Sequence, residues 1–302
     1  MQGPTALRGI TASWPTTRFS SNDLTILTPS ANIRRERRRL PLCMPNRWMP
    51  LWVALCLSAA CTQNPVLKVA APPVTIYVGA ASDLTPAFTE IGSRLGSTRP
   101  IKVVFTFGSS GLLSRQIEQG APFDLFASAN AAFVDRLESL ELVLKGSRRT
   151  FAQGRLVIWQ RQDAAVPIKS LDDLATPAIR RVAIANPEHA PYGLAARQAL
   201  QSKQLWEAVK EKIIFGENVA QAFQFAQTGN VDAAIVAQSL ATRPQGRSIP
   251  VDPAAHAPID QTLCILRRSQ QPEACRQFVE FLLSADGRAI LQRHGFVVER
   301  KY

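Results

Sequence analysis

The chain has 302 residues, 46% of them hydrophobic and 19% charged, which suffices for one large or two medium domains with a real core and excludes a disordered tail protein. With 16 Gly and five Cys it is neither a collagen nor a small disulfide scaffold. Its 35 Lys+Arg against 23 Asp+Glu give a net charge of +12, basic enough to raise nucleic-acid binding as a reading.

That charge is uneven. Residues 1–61 hold eight Arg and no Lys against Asp23 and Glu36, so half of the excess sits in a fifth of the chain. The run Arg34-Arg35-Glu36-Arg37-Arg38-Arg39 carries no interleaved aromatics, which argues against a nucleic-acid patch. An apolar run from Leu51 to Ala60 follows and ends at Cys61. A basic region, a short apolar region and small residues before a cut form a secretory signal. The run is too short to span a bilayer, which takes about 20 residues. Leu57-Ser58-Ala59-Ala60-Cys61 resembles a bacterial lipobox, so lipidation at Cys61 is expected; cleavage that leaves Cys61 incidental is the alternative. Residues 1–43 lack periodicity, and Met44 and Met49 closely precede the apolar run. Either translation starts at one of these and 1–43 is not translated, or the signal has a long basic head.

Residues 62–73 read as a tether, small, polar and Pro-bearing. Then short apolar runs alternate with amphipathic stretches. Val74–Val78 reads as a strand, and Leu84, Phe88, Ile91 and Leu95 form a helical stripe. Ile101–Phe107 is a strand, Leu113 and Ile117 mark a helix, Asp124–Ala127 is a strand and Ala132–Leu140 a helix. Strands follow at Arg155–Trp159, Arg181–Ala185, Lys212–Phe215 and Ala233–Val236, with helices at Leu194–Leu200 and Val219–Ala226. Leu263–Leu266 is the last strand, and Cys275, Phe278, Val279 and Leu282 line the last helix. The alternation predicts an α/β fold with mixed, mainly parallel sheets flanked by helices. Its extent predicts two lobes: 74–153 plus 248–302 as lobe I and 154–247 as lobe II, with crossings near Gly154–Arg155 and Ile249–Pro250.

One local device recurs. Ala80-Ala81-Ser82-Asp83, Gly108-Ser109-Ser110-Gly111, Asn186-Pro187-Glu188-His189-Ala190-Pro191-Tyr192-Gly193 and Gly216-Glu217-Asn218-Val219 each follow a strand and open a helix. Ser, Asn, Gly and Pro belong at such positions. Free N–H groups and the positive end of the helix dipole make each start an anion site, at the carboxyl ends of strands where α/β proteins bind ligands. A single such corner is ordinarily just a capped helix. Four of them, two in each lobe and behind an export signal, point to a binding cleft.

The motifs Val-Gly-Ala-Ala-Ser-Asp-Leu (78–84), Phe-Gly-Ser-Ser-Gly (107–111), Gly-Ala-Pro-Phe-Asp-Leu-Phe-Ala-Ser-Ala (120–129), the third corner, Gly-Glu-Asn-Val-Ala-Gln-Ala-Phe-Gln-Phe (216–225) and Arg-His-Gly-Phe (293–296), in this order, resemble the periplasmic molybdate-binding proteins of ABC importers. The resemblance covers Val74 to Phe296 and implies a two-lobed, type II periplasmic-binding fold closing on molybdate or tungstate. It implies ligand contacts from Ser82 and Ser110 by hydroxyl and N–H, and from Tyr192 and Val219 by N–H. One branch of the family adds a Tyr hydroxyl where this chain has Ala237, so that donor is replaced here, by the N–H of Ala81 or Ser109. The resemblance further implies delivery to an ABC permease, a periplasmic or cell-surface monomer held to the membrane only by lipid, and no cofactor.

Other residues are weighed beside this. Asp83 is expected on the first helical turn, pointing away from an anion it would repel. Turned inward, it would accept a proton from hydrogen phosphate. The three histidines, His189, His256 and His294, lack metal-ligand spacing. Cys264 and Cys275 either pair or stand as buried thiols. An enzyme reading rests on Ser109 or Ser110 with His189 as base, and no G-x-S-x-G, phosphate loop or H-E-x-x-H accompanies it. A sulfate or phosphate binder is the nearer alternative. A ligand-sensing regulator would need a DNA-binding helix pair before residue 74, where an export signal stands.

Overall fold

The computed structural model describes residues 72–242 and 246–298; the leader, Cys61 and nearly all of the tether lie outside them. In chain order the elements are β1 (Val74–Ala81), α1 (Thr85–Thr98), β2 (Ile101–Gly108), α2 (Ser110–Glu118), β3 (Leu125–Ser128), α3 (Ala131–Ser139), β4 (Arg149–Gly154), β5 (Leu156–Arg161), β6 (Val182–Ala185), α4 (Pro191–Ser202), α5 (Trp206–Val209), β7 (Ile213–Gly216), α6 (Val219–Gln227), β8 (Ala233–Ala237), β9 (Gly246–Pro250), β10 (Ile259–Ile265), α7 (Pro272–Leu283) and α8 (Ala285–Arg293).

Two five-stranded sheets form, β2-β1-β3-β10-β4 and β7-β6-β8-β5-β9. In the first, β1 pairs in parallel with β2 and β3, while β10 runs antiparallel to both β3 and β4. In the second, β6 pairs in parallel with β7 and β8, while β5 is antiparallel to both β8 and β9. Four of five strands in each sheet thus point one way, and the fold class read from the sequence holds.

The apolar spacing explains the packing. Leu84, Phe88, Ile91 and Leu95 are all fully buried, one stripe pressed on the first sheet. Phe88 meets Phe278 of α7 edge to face, with ring centroids 5.6 Å apart. Strands β6 and β8 are buried on both faces, as central strands covered by helices are, which is why they read as unbroken apolar runs.

The chain crosses between sheets twice. The first crossing is Gly154–Leu156, between β4 and β5. The second falls after Pro250, next to the expected crossing, because β9 pairs with β5 and keeps Ser248–Pro250 in the second sheet; Gly154, expected to open lobe II, instead ends β4 in the first sheet. Strands β4 and β9 carry no prediction from the sequence: each is an outer strand, half exposed, and lacks a continuous apolar run. Cys264 and Cys275 are both buried and unpaired in separate apolar clusters, which settles the alternative in favour of free thiols. Among the described residues, no helix is long and apolar enough to cross a membrane.

Candidate functional site: an interlobe cavity ringed by helix starts

All four strand-to-helix corners exist and meet at one place. Ala81, Ser82, Ser109 and Ser110 from lobe I, and Tyr192 and Val219 from lobe II, line a single small cavity with about 190 Å³ of empty space, its mouth included. These are the six positions expected from the sequence. Among the described residues, no Lys or Arg lines it.

Each corner presents donors for a local reason. Asn218 caps α6, and its side chain accepts from the N–H groups of Ala220 and Gln221. That leaves the Val219 N–H, which has no intrahelical acceptor. At α4, Pro191 has no N–H to offer, while Gly193 and Leu194 bond back to Ala190; the Tyr192 N–H is the free one. Ser110 opens α2, and its Oγ accepts from the Ala129 N–H at 3.1 Å. Ser82 Oγ accepts at 3.4 Å from the Ala220 N–H of the other lobe. A hydroxyl that accepts from a backbone N–H keeps its own hydrogen for another acceptor. Both serines therefore retain an O–H donor at the cavity.

Ser109 is different. Its Oγ bonds across the cleft to the His189 carbonyl at 2.6 Å and lies 2.8 Å from His189 Nδ1. The Gly111 N–H donates to the same carbonyl at 2.9 Å. The Ser109 hydroxyl is thus spent on joining the lobes, and only its N–H remains for a ligand. Burial first, then the nearby Arg115, hold His189 below the ordinary imidazole range.

Asp83 corrects an expectation. It does not point away to solvent: it is fully buried beside the cavity. The turn it occupies, Ser82–Leu84, is a 3-10 turn at the end of a central strand, and all three of its residues are enclosed. Asp83 Oδ2 accepts from Gln261 Nε2 at 2.8 Å, and its backbone carbonyl accepts from Ser239 Oγ at 2.8 Å. Burial raises its pKa to about 7, against the smaller opposing pull of the Tyr192 hydroxyl and the Gln261 amide. The Tyr192 phenol is itself raised well above its ordinary value by burial and by the facing carboxyl. Neither Tyr192 Oη nor Asp83 Oδ1 reaches a partner at full hydrogen-bond geometry. Sequence reading missed Gln261 as a neighbour of the site; its contact with Asp83 spans 178 residues, and no local pattern marks it.

Ala237 is buried in β8, paired to Leu156, and does not line the cavity. His256 and His294 stand apart from it, the latter 3.1 Å from Glu90. Among the described residues, no group of His, Cys, Asp and Glu is placed to hold a metal ion.

Comparison with known proteins agrees with this architecture. The molybdate-binding protein ModA of Rhodobacter capsulatus is 32% identical over 227 residues, covering 74% of this chain and 88% of that one. The solved periplasmic molybdate-binding protein of Azotobacter vinelandii superposes with a TM-score of 0.70 at 28% identity, over 74% of this chain and all of that one. The sulfate-binding protein SubI of Mycobacterium tuberculosis, 19% identical with a TM-score of 0.63 over 74% of this chain and 86% of that one, shares the fold. Residues 76–297 match the model of one family along nearly the whole two-lobed region, and the chain belongs to that family, the bacterial extracellular solute-binding proteins.

Proposed function

We propose that this chain captures molybdate or tungstate outside the cytoplasm and hands it to an ABC permease, working as a monomer anchored by lipid at Cys61. One observation carries the reading: two helix starts from each lobe converge on one cavity, offering neutral donors and no Lys or Arg. Ser82 and Ser110 give hydroxyl and N–H donors, Tyr192 and Val219 give N–H, and Ala81 or Ser109 supplies a further N–H. A fully ionised tetrahedral oxyanion needs donors only. Each charge-assisted bond contributes roughly 1.5–3 kcal/mol, and each helix terminus about 0.3–2 kcal/mol. The names of the molybdate-binding relatives support the choice of anion.

The geometry favours binding over hydrolysis. A nucleophilic Ser110 would need a base, but its Oγ bonds the Ala129 N–H, while His189 engages Ser109. Ser109 in turn donates to a carbonyl and is not poised to attack. A second reading, hydrogen phosphate, needs an acceptor for that ligand's proton, and Asp83, which lines the cavity, would have to turn its carboxyl from Gln261 to the ligand to supply it.

Titration calorimetry of the purified protein with molybdate, tungstate, sulfate and phosphate separates these readings. Tight binding of molybdate and tungstate with weak sulfate and phosphate is expected. Heat with phosphate alone moves the assignment to the second reading, and silence with all four ions removes the oxyanion function.

A further inference from the structure

Beside the cavity, one side chain of lobe II reaches into lobe I. The hydroxyl end of Tyr192, on α4 of lobe II, enters lobe I among Asp83, Gln261 and Gly154. Three features of lobe I serve this one insertion. At Gly154, the end of β4 at the crossing, a Cβ would fall 1.9 Å from Tyr192 Oη and 2.9 Å from its Cζ, so only glycine admits the ring. At Gln261 the pairing of β10 with β4 shifts register, a bulge of the kind that re-aims a side chain, and the amide reaches Asp83. Asp83 Oδ1, Gln261 Oε1 and Tyr192 Oη are all buried without a full partner, so this polar socket is built at an energetic cost that sheet packing alone does not require.

We infer that Asp83, Gln261 and Gly154 form a closure latch for the Tyr192 hydroxyl, and that Asp83 and Gln261 are positioning residues for the ligand donor at the Tyr192 N–H. The geometry makes the coupling short. One end of Tyr192, its backbone N–H, faces the cavity; the other end, its hydroxyl, is seated in the opposite lobe. Lobe opening withdraws both together, so seating the phenol fixes the start of α4 over the anion site. The inference rests on the proposed oxyanion function for its ligand readout.

Tyr192→Phe deletes the hydroxyl and keeps the N–H. Stopped-flow binding of molybdate should show dissociation faster by roughly three- to tenfold with association within twofold, since the seating of the hydroxyl end against Gly154 and Asp83 exists only in the closed state. Gly154→Ala, which bars the phenol, should act in the same direction and more strongly. Its effect should not add to that of Tyr192→Phe in the double variant. Asp83→Asn, which retains hydrogen bonding, should stay nearer wild type than Asp83→Ala. If wild-type protein binds molybdate and the Tyr192→Phe and Gly154→Ala variants release it at the wild-type rate, the latch is wrong while the function stands. If wild-type protein binds no molybdate, the function falls, and the latch is judged by the interlobe distance between paired spin labels without ligand. Gly154→Ala must then widen that distance; an unchanged distance overturns the latch.

Discussion

Ser109 and His189 hold one another across the cleft through two bonds that fix the histidine's tautomer. The Ser109 hydroxyl has a single hydrogen, and its 2.6 Å contact with the His189 carbonyl uses it. Nδ1, 2.8 Å from the same Oγ, must therefore donate, so the neutral imidazole carries its proton there. Protonation at Nε2 leaves both bonds intact, and the clasp persists on acidification. Ser109→Ala removes both bonds and keeps the backbone N–H. We expect a loss of molybdate affinity of roughly 3- to 30-fold, read by calorimetry.

Ser82→Ala and Ser110→Ala each remove a hydroxyl donor from the cavity. A charge-assisted bond of roughly 1.5–3 kcal/mol predicts about a 10- to 150-fold weaker affinity for each. Ser110→Ala also strips the acceptor from the buried Ala129 N–H and should lower the melting temperature more than Ser82→Ala does. An affinity within twofold of wild type for both variants would remove these serines from the site.

Asp83 makes stability depend on pH with a definite sign. Its pKa in the folded protein, about 7, lies above the ordinary 3.8, so the folded state holds a proton that the unfolded state has released across that window. Its contribution is favourable below the lower value and is lost as pH rises toward 7. Denaturant melts at pH 5 and pH 8 should show wild type losing more stability than Asp83→Asn. A dianion beside this carboxyl favours its neutral form further, so molybdate binding near pH 7 should take up protons. Calorimetry in buffers of different ionisation heats reads that uptake, which Asp83→Asn abolishes.

Cys264 and Cys275 are buried, and burial pushes both thiols up to about 12. Neither should react with iodoacetamide in the native protein. After unfolding without reductant, peptide mass spectrometry should find both alkylated. A disulfide-linked peptide pair would contradict the structure.

Much of the frame is legible in the chain. The stripe Leu84, Phe88, Ile91 and Leu95 specifies α1 and its buried face, and Asn218 before Val219 specifies the start of α6. The four corners could be read because each is local, a strand end followed by a capping residue. What stayed hidden is non-local or exposed. Gly154 looks like any loop glycine until Tyr192 is seen against it. Asp83 reads as a surface helix start unless the return of β10, which brings Gln261, is known. The Ser109–His189 clasp joins residues 80 positions apart, and neither carries a mark of the other.

The reversed strand in each sheet has a consequence for the order in which the lobes are completed. β5 enters the second sheet directly after β4, and everything that sheet needs has been made by Pro250. In the first sheet β4 pairs with β10, which arrives about a hundred residues later. A chain emerging N-terminus first therefore holds every strand of the second sheet while the first still lacks β10. The pairing of β4 with β10 also delivers Gln261, so the socket for Tyr192 cannot be complete before the chain has reached β10.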